Sequence, residues 1–539
     1  MASKRWIRLL TLLCAFALIA AACSDDDGGT AAAPATTAAA PASTELRVAW
    51  PELPAQLDPQ VYVGLPDQDL GFNTMATLVK YSAEGGSDSV PTLEDLEPEL
   101  AESIVANEDR TVYTITLREG VVSAFGNELT TADVEWSFER FSDPYGLVGG
   151  FLYAVGSVDA AQPITIIDDR TFEFHLTEPS VIGPAVLTWY AAGIYDSTEA
   201  KAHATDEDPL ASAWLAEHTA GFGPYNVTSI DPGTEVRLES NKNYWRGPPA
   251  FETVVIRAVP EASTRIQLLR AGEVDLINNV PPNQVESLQG ADGVVVHVLP
   301  SVQRQSLLMN NADERFANPL VRRAVSIAIN RQAIVDVAYA GLAQVADRAI
   351  DRNVYDSDAT VETDPEQAIA LLTEAGLEGG FEFTLSINEQ ASGPETEEVA
   401  RLIQADLAAI GVTMNIDVVP SFADFSGGFY TGSFQAWIYP SAPVVNDVGY
   451  DLFLYNASGA MLNVHGFSNA DYDQLAAEVL VTVPGPERDD LIAQAADILL
   501  DQAPMIWVAE RPWLLASSSS VTGFVAYPYV GVHFADLQN

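Results

Sequence analysis

Cysteine is nearly missing from this 539-residue chain: there are two, Cys14 and Cys23, both within the first 23 residues. That placement excludes a disulfide framework and thiolate chemistry from everything downstream. Basic residues are also scarce. Twenty-six Lys and Arg stand against 75 Asp and Glu, for a formal net charge of −49, and the lysines are Lys4, Lys80, Lys201 and Lys242 alone. A nucleic-acid partner needs a basic face to displace phosphate counterions, so nucleic acid is excluded, and a polybasic membrane-surface role with it. The six histidines, at positions 175, 203, 218, 297, 465 and 533, are scattered, with no HExxH, GxSxG or Cys–His pattern around them. No catalytic residue is assigned on this basis, no directly bound metal is expected, and no cofactor is implied. A GxxxxGK(S/T) phosphate loop is absent as well.

What is present describes a well-cored globular protein: 48% hydrophobic and 19% charged residues. The length exceeds one ordinary domain and predicts two or three lobes. The acidic excess has two readings. One is adaptation to salty surroundings, where a Debye length of about 8 Å or less weakens self-repulsion. The other is a codon bias towards Asp, Glu and Ala.

The N-terminus speaks to compartment. Lys4, Arg5 and Arg8 precede an apolar run from Leu9 to Ala22, broken only by Thr11 and Cys14. Its length suits a signal-peptide core and is short for a membrane span. It ends Leu18-Ile19-Ala20-Ala21-Ala22-Cys23, similar to a lipobox whose cysteine is diacylated after cleavage, although Ala20 stands where the pattern usually has Leu. Residues 1–22 are therefore expected to be a signal peptide and Cys23 the lipidation site. Ordinary signal-peptidase cleavage or retention as an anchor are the alternatives. Residues 24–43 are almost all Asp, Gly, Thr, Ala and Pro, a composition that cannot bury a core and reads as a tether.

Along the body, residues 45–50 read as a buried strand and 110–118 as a period-two strand, with Val112 or Tyr113, Ile115 and Leu117 on its apolar side. Thr130 to Asp133 open a helix through Trp136, Phe138 and Phe141. Residues 164–176 hold two strands around Asp168-Asp169. Residues 225–238 and 251–259 read as strands, 262–271 as a helix ended by Gly272, and 273–277 as a short strand. A strand at 305–310 precedes a long helix from Pro319 to Tyr339, whose N-terminal Pro costs nothing at that position. Helices from Asp364-Pro365 to Gly376 and over 395–410, then a strand at 412–419, complete an alternation that predicts sheets covered by helices. Gly221 and Gly223 are expected to permit backbone shapes closed to other residues. Tyr244 and Trp245 read as packing anchors, and the Arg322-Arg323 pair as solvated or carboxylate-bound.

Several segments together resemble the oligopeptide-type periplasmic binding proteins, solute-binding family 5. They are Leu117-Arg118-Glu119-Gly120-Val121, Gly221-Phe222-Gly223-Pro224-Tyr225, Asn243-Tyr244-Trp245-Arg246-Gly247, Ala271-Gly272-Glu273-Val274-Asp275, and Val321-Arg322-Arg323-Ala324 with Ala328-Ile329-Asn330-Arg331. Their order holds across residues 45–525. The resemblance implies an α/β, two-lobed periplasmic-binding-protein-like fold (class II, cluster C type) with an extra subdomain inserted in lobe I. Lobe I would comprise 44–80, 220–303 and 506–539, the insertion 81–219, and lobe II 304–505, with strands near 305–310 and 506–513 as the hinge. It further implies capture of a peptide or similar small solute by hinge closure, delivery to the permease subunits of an ABC importer, an extracytoplasmic lipid-anchored location, and a monomer.

Relatives carry an Asp, paired with the ligand amine, shortly after a Trp-bearing strand. Here Trp437-Ile438-Tyr439 is followed by Pro440-Ser441, and the nearest acids are Asp447 and Asp451. Candidate ligand contacts are Tyr62, Trp437, Tyr439, Asp447 and Asp451, each weighed against a plain core, turn or cap role. His465, beside Asn463 in a glycine-bearing loop, is weighed the same way. A surface hydrolase or a sensor lipoprotein on the same fold is the alternative function.

Overall fold

A computed structural model describes residues 44–539 apart from 55, 62–64, 143–147, 356–359, 442 and 444. Cys23, the leader, the tether and Tyr62 lie outside the described residues. Among the described residues, no helix is long and apolar enough to cross a membrane.

Two long strands, Val294–Met309 and Met505–Ser518, pair antiparallel and run through the middle of one mixed eleven-stranded sheet. Beyond Met505–Ser518 come Leu276–Asn278, Glu45–Trp50, Thr253–Ala258, Glu235–Ser240 and Tyr225–Asp231. Beyond Val294–Met309 come Ala436–Ser441, Glu382–Ile387 and Thr413–Val418. Within each half a central strand is parallel to both neighbours: Glu45–Trp50 in one, Glu382–Ile387 in the other. Parallel neighbours need a crossover, and helices supply it. Ala262–Arg270 leads to Leu276–Asn278, Thr396–Ala409 to Thr413–Val418, and Phe422–Thr431 to Ala436–Ser441.

Each half has its own core. Leu46, Val48, Ile256, Leu276 and Leu515 are buried in one; Leu307, Phe383, Leu385, Ile403 and Ile438 in the other. A separate antiparallel sheet, ordered Ala101–Ala106, Val112–Leu117, Thr171–His175, Ile164–Ile166, lies within residues 81–219. Its alternation is as the sequence predicts, with Tyr113, Ile115 and Leu117 buried. The helix Thr131–Phe141 follows, closed at its start by a capping box between Thr130 and Asp133. The architecture is the expected two-lobed α/β fold with an additional subdomain.

Several elements differ from expectation. Residues 225–238 are not one strand but a hairpin, because Gly233 takes φ +72° and the Thr234 N–H closes a turn on the Asp231 carbonyl at 2.9 Å. The strand expected at 305–310 reaches back to Val294, and that expected at 273–277 starts only at Leu276. The helix expected from Pro319 to Tyr339 is two, Pro319–Ala328 and Arg331–Val337. Ile329 turns extended and Asn330 caps the second helix, accepting the Ala333 N–H at 3.0 Å.

The break lets Arg331 reach inward, where it donates to the carbonyls of Ala346, Trp507 and Ser326. Arg322 is likewise buried and bonded to the carbonyls of Gln502, Phe316 and Ala317, not solvated or carboxylate-bound. Arg323 does meet a carboxylate, Asp501, at 3.0 Å. Gly221 and Gly223 have ordinary backbone angles. They are glycines because a Cβ would stand 2.4 Å from the Thr74 carbonyl oxygen and 2.5 Å from its carbon, respectively.

Candidate functional site: the cleft at the strand ends

Ligands of parallel α/β sheets bind beyond the carboxyl ends of the strands, where loops and helix starts diverge. Here the two halves present such ends to one enclosed space. Asn278 and the loop through Pro282 line it from the first half; Gln390 to Glu395 and Pro440 line it from the second. Gln303 and the run Arg511-Pro512-Trp513-Leu514, from the two long central strands, form its floor. Asp69, Tyr339 and Val530 complete the wall. The space is small, about 40 Å³, room for a few water molecules.

The second half is also bonded to residues 81–219. The Asn446 N–H donates to the Tyr81 hydroxyl at 3.0 Å and its side-chain amide to the Pro91 carbonyl at 2.8 Å. The Val181 N–H donates to the Leu480 carbonyl at 3.2 Å.

Buried polar residues lace the strand-end loops in place. In the first half, Arg265 donates to the carbonyls of Val259, Pro260 and Asn279, tying together the loops after two parallel strands. Asn279 itself is held at φ +48°, a left-handed conformation that Asn tolerates better than most residues. In the second half, Asn388 caps the helix Glu389–Ser392 and donates to the Val419 carbonyl at 2.9 Å, joining the loops after the two adjacent parallel strands.

Four ionisable side chains line the cavity: Asp69, Tyr339, Glu395 and Arg511. Arg511 donates to the Ser392 carbonyl at 2.8 Å and to Gln305 Oε1 at 3.2 Å, and its Nη2 lies 3.1 Å from Glu395 Oε1. Asp69 accepts the Val532 N–H at 2.8 Å, and burial pushes its carboxyl up to about 7.

The sequence candidates occupy other places. Trp437 is fully buried beside Phe429, ring centroids 6.2 Å apart, and Tyr439 packs on Phe429 at 4.5 Å. Asp447 caps the helix Val448–Asn456 and pairs with Arg488 at 2.7 Å. Asp451 pairs with Arg304 at 2.7 Å inside the protein, where burial raises its carboxyl. Of that stretch, Pro440 is the residue on the cavity wall. His465 is fully buried, its imidazole pushed down to about 3 by burial, and it is not part of the wall. Tyr244 and Trp245 pack as expected, with Trp245 between the guanidinium groups of Arg118 and Arg246 at 4.1 and 4.9 Å.

Sequence reasoning missed Asn278, Glu395 and Arg511. Each follows a strand end or sits mid-strand without a local motif. The usable signal was position just past a predicted strand, which held for Asn278; no strand was expected before Glu395, where the structure has Glu382–Ile387, and Arg511 lies mid-strand.

Two α/β halves joined by two continuous strands, with loops at their carboxyl ends closing on one space, define a two-lobed solute-binding protein. The chain belongs to the bacterial extracellular solute-binding proteins, family 5, whose middle region matches residues 95–473. It is thus an extracytoplasmic substrate-binding component of the kind that serves ABC importers. The heme-binding protein A of Haemophilus influenzae is 29% identical over 459 residues, 81% of this chain and 82% of that protein. The periplasmic binding protein DppA of Helicobacter pylori, solved with the peptide STSA, superposes with a TM-score of 0.80 at 25% identity, over 92% of this chain and 98% of that one. The dipeptide-binding protein of a Pseudoalteromonas species, solved with Met-Leu, gives 0.81 at 22% identity, over 92% and 99%.

Proposed function

We propose that this chain captures a small solute of peptide size between its lobes, closes over it, and passes it unchanged to an ABC permease. The observation that supports this most is the convergence of both sets of parallel-strand ends on one cavity crossed only by two continuous strands. A pair of strands bends more easily than a packed layer, so the lobes can part about it. Ligand contacts on both walls favour the closed form, and only that differential affinity drives closure. In this reading lobe I comprises residues 44–80, 220–303 and 506–539, the inserted subdomain 81–219, and lobe II 304–505.

Asp447 and Asp451 hold the loop behind Pro440 in this scheme, while Trp437 and Tyr439 back the wall. Tyr62 is assigned to the cleft mouth of lobe I. Diacylated Cys23 anchors the protein as a monomer, with residues 24–43 as tether; named relatives that bind peptide and heme favour a small organic cargo.

Small-angle scattering of the protein with a broad library of peptides, sugars and chelates tests the capture. Compaction with at least one member, without turnover of it, is the expected result. Turnover would instead favour a surface hydrolase, and no compaction with any member would end the proposal.

A further inference from the structure

We propose that the cleft selects an uncharged polar ligand, one presenting hydroxyl or amide groups that both donate and accept hydrogen bonds. The inference rests on the capture reading and narrows it to a ligand class.

Four buried atoms on cavity-lining residues find no hydrogen-bond partner among the described residues. Oδ1 of Asn278 and Oε1 of Glu395 are acceptors, Nε of Arg511 is a donor, and the Tyr339 hydroxyl can be either. Buried polar atoms are rarely left unmade, because desolvation without replacement is unfavourable. A ligand that satisfies this mixed set must offer donors and acceptors together, as hydroxyls and amides do and as a lone ammonium or carboxylate does not.

The charges of the wall are already answered. Glu395 and Arg511 lie 3.1 Å apart and cancel each other. Asp69 takes the Val532 N–H, and burial favours its neutral form. Below about pH 7 this leaves the wall without net charge to meet an ionic ligand group, whose desolvation would then go uncompensated. The other polar groups of the wall are mostly amides, those of Asn279, Gln303 and Gln390.

Prolines 282, 394, 440 and 512 remove backbone donors that would otherwise hold an anion. Trp513 adds apolar surface to the wall.

The test is calorimetric titration of the full-length protein in detergent with four sets of probes. These are neutral di- to tetrasaccharides, short apolar peptides capped as N-acetyl amides, the same peptides uncapped, and charged solutes such as glutathione and linear diamines. Binding in the first or second set is expected, with the last two weaker by about tenfold or more. Which of the first two binds tells hydroxyl from amide recognition.

Asn278→Leu removes the acceptor and is expected to weaken the neutral ligand by about tenfold, the scale of one lost hydrogen bond, while the unliganded melting temperature holds. Should that variant fail to fold, Asn278→Asp is read in its place. It is expected to weaken neutral ligands and strengthen diamines. Uncapped peptides or charged solutes binding as tightly as neutral ones would overturn the selectivity while leaving capture intact. Binding in no set would bring down capture and this inference with it.

Discussion

Arg322 and Arg331 belong to segments that resemble the family pattern, and like Arg265 each is buried against backbone carbonyls, with no carboxylate in hydrogen-bond reach among the described residues. Burial lowers all three guanidinium values to about 10, so they stay charged at neutral pH. Five N–H donors in a rigid plane let one side chain satisfy carbonyls from separate loops, which lysine cannot do. Arg331→Met is expected to strand the carbonyls of Ala346, Trp507 and Ser326 and to lower unfolding free energy by about 3 kcal/mol, read from denaturant titration.

Asp69 gives a pH prediction. Its carboxyl is raised by burial from 3.8 to about 7, so the folded state holds a proton that the unfolded chain releases. Its contribution to stability is therefore complete below about pH 4 and fades as the pH rises through 7. Asp69→Asn keeps an acceptor for the Val532 N–H and never ionises. Relative to wild type it is expected to gain stability steadily between pH 4 and 8, in melting temperatures taken across that range. His465 has the opposite sign: its value of about 3 means that its contribution is present above pH 6.5 and is lost as pH falls towards 3.

At the scale of elements, the two central strands carry their own weak point. Pairing is regular from Val294 to Leu299 against Trp513 to Ser518, then shifts between Leu299 and Gln303 and again between Gln305 and Ser306. Pro300 and Pro512 sit in this stretch, and each lacks a ladder donor. The crossing thus keeps both strands continuous while thinning the hydrogen bonds that would stiffen it. Hydrogen exchange is expected to show faster amides at 301–303 and 511 than at 306–309 and 514–517. Equal protection throughout would mean that the bend lies elsewhere.

The elements themselves were largely legible. The capping box at Thr130, the prolines opening helices at 319 and 365, and the helix-ending glycines 272, 376 and 411 are local signals, and the structure follows them. The break at Ile329-Asn330 was not legible as such. The apolar face runs on unbroken there, and the pull that ends the first helix comes from carbonyls distant in sequence that receive Arg331.

At the scale of the molecule, net charge −49 sets the long-range energetics. Carboxylates outnumber their partners to the point of crowding: burial, then Glu397, Glu261 and Glu395, raise the carboxyl of Glu389. Screening shortens the Debye length from about 30 Å at 0.01 M salt to about 3 Å at 1 M. The melting temperature is expected to rise with NaCl over that range. A flat response would favour codon bias over salt adaptation as the origin of the acidity.

The sequence by itself determined the class of protein: local patterns place strands, helices and caps, and the order of its motifs points to a two-lobed binding fold. It also showed that Pro440 and Ser441 follow Trp437 where the resemblance implies an acid, since residue identity needs no coordinates. Only the tertiary structure decided which side chains meet. Asn278, Glu395 and Arg511 are separated by more than a hundred residues in the chain, and Asp447 and Asp451 find Arg488 and Arg304 only through folding. A cleft between lobes is assembled from loops at the ends of many strands, and no short-range pattern records which of them end up facing one another.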